Sequence, residues 1–446
     1  MSDTARQRFW LVAFLFLCCA GTLIAGRQVY ELGDDLTLWD HDSEANVLRE
    51  VDGFRAQGFW HDDGLGNALY GNRYPDYGFA APKNREHTIG PDGVYTHYPP
   101  GPEYLLYGAE AVFGPAAIAR LRLAPLLLGG VSAVFFGLCL RRRFGPMVGW
   151  LMMSACLCVP AFYDANAYLH FIGYAFALLL VELGIAVGRN RRLLPFLALG
   201  FAQGWLSFDW IFLVVLSPLA LELALPLICP GDVARVRLAL LRCACVGGGF
   251  VLAHALHLCQ VWAHYGSLSQ ALNDLHAAAR YRAGYEEVQG AAHYIGRACI
   301  LLLFHLVSPY PVSVFFWRPD AGMPMTFRVF RFMGITLGLW LVVVTVVLAG
   351  VERWRRDHAL ASLRLVRRWA GVVGLGFVPS GMWWLLMQNH AYEHPYLQYR
   401  HLFFLFFLTV LFMATLVAPP LERLLGRWAG TSSRVHKARF MEASTP

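Results

Sequence analysis

Three acids fall within five residues in Trp39-Asp40-His41-Asp42-Ser43-Glu44. A carboxylate held at a surface can take a proton from a hydroxyl or amine, so Asp40, Asp42 and Glu44 are candidate catalytic bases. The same stretch also reads as a helix start. Asp42 or Ser43 would be the N-cap and Glu44 would favour the positive end of the helix dipole. Ala45, Val47, Leu48, Val51 and Phe54 then follow at helical spacing. Downstream, Tyr95-Thr96-His97-Tyr98-Pro99-Pro100-Gly101-Pro102-Glu103-Tyr104 is an aromatic turn that its prolines stiffen. It leads into a short apolar helix, Tyr104–Phe113, too short to span a bilayer. His97 and Tyr98 could line a sugar or phosphate pocket; an interfacial aromatic belt is the plainer reading.

Cations follow at intervals. Arg120 and Arg122 open an apolar run and ask for an anion, either a lipid headgroup or a substrate phosphate, which arginine binds bidentately. Ser267-Leu268-Ser269-Gln270 is a capping box, and Leu268, Ala271, Leu272, Leu275 and Ala279 continue it as an amphipathic surface helix. That helix ends in Arg280-Tyr281-Arg282. A last polar loop, Asn389 to His401, carries His390, His394 and Arg400. The His390/His394 spacing would suit a divalent metal on one helix face. Pro395 shortens that helix and no third ligand is evident, so the expectation is a phosphate-facing loop with no metal and no required cofactor.

The elements that must hold these residues are membrane spans. Of 446 residues, 57% are hydrophobic and 15% charged, against roughly 25% charged in soluble domains. That composition excludes a water-soluble enzyme and a disordered chain. The ten cysteines all lie in apolar stretches, which argues against a disulfide framework. Basic clusters sit beside apolar runs, at Arg141–Arg143, Arg189–Arg192 and Arg353–Arg368, as in cytoplasmic loops. The net charge of +7 is therefore a topological signal and not one for nucleic acid.

Charge parity gives an all-α polytopic membrane protein of about ten transmembrane helices with both termini inside. The apolar runs lie at 9–26, 120–140, 146–163, 167–188, 193–207, 210–229, 243–262, 327–350, 371–388 and 401–418. Residues 294–317, with Pro309 and Pro311, are expected to re-enter or lie at the interface; if they cross instead, there are eleven spans with the tail outside, which the tail's Arg423, Arg427, Arg434, Lys437 and Arg439 oppose. A single membrane domain would span 1–446, with outer loops at 27–119 and 263–326 and a basic inner tail at 419–446. The 27–119 loop holds half of the chain's 30 acids, and every histidine except His358 and His436 lies outside or near an outer span end. Titratable groups gathered on one face mark it as the working face.

In this order, the motifs resemble the GT-C superfamily of membrane glycosyltransferases, in particular its protein O-mannosyltransferase and aminoarabinose transferase branch. The matching residues are Asp42-Ser43-Glu44, Tyr98-Pro99-Pro100, Ala119-Arg120-Leu121 and Arg142-Arg143-Phe144-Gly145. The resemblance covers residues 9–165 by motif and the rest by architecture. That branch often has adjacent Asp-Glu and a Lys before Pro-Pro. Here Ser43 intervenes and Tyr98 stands in the Lys position, so Asp40, Asp42 and Glu44 all stay candidates for the base, and His97 or Tyr98 for the Lys role.

The resemblance implies a GT-C-like fold with outer-face juxtamembrane helices. It implies inverting transfer of a sugar from a polyprenyl-phosphate donor to a lipid, glycan or protein acceptor at the outer face of a bacterial inner membrane. Asp42, Glu44 and Asp40 would be catalytic. His97, Arg120, Arg122, Arg280, Arg282 and Arg400 would bind the donor phosphate, and Tyr98, His390 and His394 would line the pocket. The competing readings are a lipid or glycan transporter and a non-enzymatic envelope assembly protein.

Overall fold

The computed structural model describes residues 41–71, 73–81, 92–114, 118–158, 169–188, 191–283, 359–393 and 401–428, with 12, 16, 36, 295–297, 299, 300 and 344. Among these residues the chain is helical, with no strand beyond one isolated bridge between Asn67 and Val94. Helix α1 (His41–Gln57) and helix α2 (Gly101–Phe113) come first. Then follow α3 (Ile118–Phe144), α4 (Pro146–Cys158), α5 (Phe171–Val187), α6 (Leu194–Leu206), α7 (Ile211–Ile228) and α8 (Val236–Tyr265). Helix α9 (Leu268–Ala283), α10 (Ala359–Leu386), the short α11 (Gln388–Glu393) and α12 (Phe403–Trp428) complete the set.

Five helical segments are long and apolar enough to cross a membrane: Ile118–Phe144, Ile211–Ile228, Val236–Tyr265, Arg364–Leu386 and Phe403–Glu422. The chain is an all-α polytopic membrane protein. Helix α6, expected as a span over 193–207, has 13 residues. At 1.5 Å per residue it reaches about 20 Å, short of a ~30 Å hydrocarbon core. It is held instead by close packing on α8. A Cβ on Gly200 would stand 2.0 Å from the Val246 carbonyl oxygen, and one on Gly249 would stand 2.1 Å from that of Leu197. Glycines at this crossing let two backbones touch, which is how helices associate where lipid gives no hydrophobic drive. The expected spans 9–26 (apart from Val12 and Phe16) and 327–350 (apart from Val344), and the expected re-entrant segment 294–317 apart from 295–297, 299 and 300, lie outside the described residues.

The bundle has two chemically different ends. At one, Arg143 pairs with Asp232, Arg242 with Glu222 at 3.7 Å, and the Arg368 guanidinium donates to the carbonyls of Leu227 and Ile228 at 2.6 and 2.9 Å. At the other lie α1, α2, the loop between them, the starts of α3, α5 and α7, the end of α8, all of α9, and the end of α10 with α11. This loop end holds those residues singled out for chemistry that are described.

Helix α1 docks there through the face that the sequence marked. Val47, Leu48 and Val51 pack with Leu106, Ala109, Ile118, Leu121 and Leu169. Helix α2 begins at Gly101, three residues before the expected start, with Pro102 in its first turn, where a missing N–H costs nothing. Helix α9 forms as expected, but its apolar face is turned. Ala271 and Ala278 are buried, Ala271 against Leu65, Val94 and Val261, while Leu268 and Leu272 are exposed.

Candidate active site

Asp42 sits in the first turn of α1, which begins at His41, so neither Asp42 nor Ser43 precedes the helix as its cap. The Asp42 carboxylate reaches across the chain instead: Oδ1 accepts the Gly78 backbone N–H at 2.7 Å. One turn on, the Asn46 side-chain oxygen accepts the Phe79 N–H at 3.0 Å and an Arg49 N–H at 2.5 Å. Arg49 is fully buried. It also donates to the carbonyls of Ala68 at 2.6 Å and of Arg73, Tyr74 and Tyr77 at 3.1 Å each. Three consecutive turns of α1 therefore grip the 68–79 loop. Gly78 permits this because its φ is +62° and a Cβ there would stand 2.1 Å from Asn46 Oδ1. Asn46 and Arg49 were not singled out from the sequence; their i, i+3 spacing on an otherwise apolar face was the available signal.

Glu44 is placed differently. Its side chain and that of Arg122 are fully buried, and they meet bidentately, Nη1 to Oε1 at 2.7 Å and Nη2 to Oε2 at 3.1 Å. Glu44 Oε1 also accepts the Leu169 N–H at 2.9 Å. Arg122 thus finds its anion inside the protein. The pair bolts α1 to the starts of α3 and α5.

The Tyr95–Tyr98 turn lies beside this platform. Phe79, held by Asn46, is 5.1 Å from the Tyr95 ring, and Tyr95 stacks on Tyr98 at 5.7 Å. Tyr98 stacks on Phe208 at 4.9 Å and 12°, and its hydroxyl donates to Asp209 Oδ1 at 3.3 Å. Phe208 is 6.4 Å from both His254 and Trp383. Trp383 stacks on His401 at 4.8 Å and meets His390 edge-on at 5.8 Å. An unbroken series of rings thus connects the Asp42 loop to His390. Asp209 and His254 are the members that sequence reasoning missed. Asp209 lies just before α7, and His254 lies inside α8, about three turns before its end at Tyr265.

His97 and Thr96 tie the turn to α9. His97 Nε2 lies 3.5 Å from Asp274 Oδ1, the Thr96 hydroxyl donates to Asp274 Oδ2 at 2.6 Å, and His257 Nε2 is bonded to the Thr96 carbonyl at 2.8 Å. Burial alone would raise the Asp274 carboxyl, but the bonds from His97 and Thr96 outweigh it and hold the group below its usual range. A second tie joins His264 Nε2 to Asp92 at 3.0 Å.

The structure thus brings Asp42, His97, Tyr98 and His390 into one connected region and sets Glu44 with Arg122 beneath it. Arg120 and Arg280 are exposed at the same end. Asp40, His394, Arg400 and the Arg282 side chain lie outside the described residues. Among the described residues no group of three or more His, Cys, Asp or Glu is arranged to hold a metal ion.

No family model matches the chain, and no curated protein matches it. Among solved structures the chain is similar to the archaeal oligosaccharyltransferase AglB from Archaeoglobus fulgidus, in complex with an inhibitory peptide and a dolichol-phosphate. Identity is 14% and the TM-score 0.41, over 96% of this chain and 53% of that one. This chain spans about half the length of that protein.

Proposed function

We propose that the chain is an inverting membrane glycosyltransferase. It moves a sugar from a polyprenyl-phosphate donor to a lipid, glycan or protein acceptor at the outer face of a bacterial inner membrane. The observation that carries this reading is the placement of Asp42: a partly open carboxylate, oriented by the Gly78 N–H, on the helix that docks beside the His97/Tyr98 turn at the end of a membrane bundle. The motif order read from the sequence supports it.

In this reading the acceptor oxygen or nitrogen attacks the anomeric carbon and the carbon–oxygen bond to phosphate breaks. The bonding pair leaves on the phosphate, and Asp42 takes the acceptor's proton. Charge growing on the phosphate needs cations. His97 and the exposed Arg120 and Arg280 serve there, with Arg282 and Arg400 as further candidates. Tyr98, His390 and His394 line the pocket. Arg122 and Glu44 neutralise one another, so we assign them to positioning α1 rather than to the phosphate or the proton. Asp40 stays the second candidate for the base. No metal is required.

The test is transfer by the purified protein from a polyprenyl-phosphate lipid fraction, comparing wild type with Asp42→Asn and Asp40→Asn. Loss in Asp42→Asn with membrane level and melting unchanged supports the reading; full transfer by both variants sinks it. Flux of the lipid across proteoliposomes without sugar transfer would favour a transporter instead.

A further inference from the structure

Asp274 reaches the His97 turn from another helix, and the transfer reaction as described gives it no part. It lies near the middle of α9, and its two oxygens serve consecutive residues of the turn. Oδ2 accepts the Thr96 hydroxyl at 2.6 Å, and Oδ1 lies 3.5 Å from His97 Nε2. Thr96 is held from its other side as well, because the buried His257 donates from Nε2 to the Thr96 carbonyl at 2.8 Å. Thr96 is thus fastened to both α8 and α9, which fixes the backbone leading into His97. The His97 ring then rests beside Tyr95, 5.5 Å between centroids.

This arrangement gives the two nitrogens of His97 different work. A carboxylate offers only acceptors, so it favours a proton on the nitrogen that faces it, here Nε2. Nδ1 is left over. Among the described residues Nδ1 has no hydrogen-bond partner, and the side chain is 16% exposed. Phosphate oxygens are acceptors too, so they bind an imidazole nitrogen that bears a proton. A phosphate on Nδ1 and a carboxylate on Nε2 together call for an imidazolium, with an anion on each side of it. Arg280 lies six residues further along α9, about 9 Å up the axis, so one helix brings both Asp274 and a cation to this end.

We propose that Asp274 is a positioning residue for His97: by holding the Nε2–H it leaves Nδ1 for the phosphate of the donor lipid, and it offsets the charge of the imidazolium that binds there. The inference rests on the glycosyltransferase reading, which gives His97 to the donor phosphate.

Binding to the full-length protein in detergent tests it without any sugar transfer. The probes are a polyprenyl monophosphate and the matching polyprenol, each in mixed micelles. Asp274→Ala and His97→Ala should each weaken the monophosphate by about tenfold, the scale of one hydrogen bond to a charged group. Neither should change binding of the alcohol, whereas a loosened fold would weaken both lipids alike. The double variant should bind the monophosphate about as His97→Ala does, because Asp274 acts through His97. A loss of about a hundredfold in the double variant would mean that the two act independently, with Asp274 merely docking α9, and would overturn the proposal. Wild-type affinity for the monophosphate in Asp274→Ala overturns it too. So does wild-type affinity in His97→Ala, an arm that leaves Asp274 bonded to Thr96. In each of these cases wild type still prefers the monophosphate to the alcohol, and the glycosyltransferase reading stands. If wild type shows no such preference, that reading fails and the proposal falls with it.

Discussion

Asp42 and Glu44 are two residues apart on one helical turn, and their surroundings differ. Asp42 is half-buried and turned toward the Gly78 loop. Glu44 has both oxygens on Arg122 and one also on a backbone N–H. Removing a general base commonly costs 10²–10⁴-fold in rate, so Asp42→Asn should lower transfer by about that factor and leave the melting temperature near wild type. Glu44→Gln should do the reverse. It strands a buried guanidinium, and breaking a buried pair by one partner costs about 3–5 kcal/mol, so loss of stability and of membrane-inserted protein should lead any loss of turnover. Urea or thermal unfolding in detergent separates the two. If Glu44→Gln melts like wild type yet transfers nothing, the assignment of Glu44 to positioning fails. At Asp274 the carboxyl is held low by His97 and Thr96. A depressed folded value means that its contribution is present above the usual carboxylate value and is lost as pH falls through the folded one. Asp274→Asn should therefore remove part of the acid limb of the pH–stability profile and leave the alkaline limb alone.

Helix α1 was legible from its apolar spacing because the positions that recur in the sequence are the ones that pack on α2 and the start of α3. The register of α9 was not. Hydropathy ranks Leu268 and Leu272 above alanine, but Ala271 is what lies against Leu65 and Val94, with its small side chain, while the leucines face out. Nor could the sequence join Glu44 to Arg122. Their partnership depends on how α1 lies across the start of α3, and no local pattern reports a contact made over 78 positions. The loop between α1 and α2 is organised by Arg49, whose planar fork reaches four carbonyls and Asn46 at once. A lysine ammonium has three donors and no fixed plane. Arg49→Lys should therefore fail to rescue what Arg49→Ala breaks. Both should raise hydrogen exchange across residues 66–81 while α10 and α12 stay protected. Equal protection of that loop in wild type and Arg49→Ala would show that the loop is held by something else.

At the scale of the whole molecule, the charges sort to opposite ends of the bundle, with arginine clusters at one and the acid- and histidine-bearing loops at the other. The proposed function needs the arginine end in the cytoplasm, the orientation that the positive-inside bias favours. In a background lacking the ten native cysteines, a membrane-impermeant maleimide should label Gln57→Cys on intact spheroplasts and Arg191→Cys only after permeabilisation. The opposite pattern would invert the topology and place the Asp42 region in the wrong compartment for the proposed donor. The sorting was legible because it is compositional; which side chains gather at the loop end was legible only in part, since Asp209 joins them through a hydrogen bond from Tyr98 and His254 through the Phe208 ring, contacts between distant segments. The claim that this end transfers a sugar is tested most directly by mass spectrometry of envelope glycans, lipids and proteins. Cells lacking the gene are compared with cells complemented by wild type or by Asp42→Asn at equal membrane level. The account predicts one envelope species that lacks a single sugar unit in the deletion and in Asp42→Asn and regains it with wild type. An envelope profile unchanged by the deletion, or fully restored by Asp42→Asn, would contradict it.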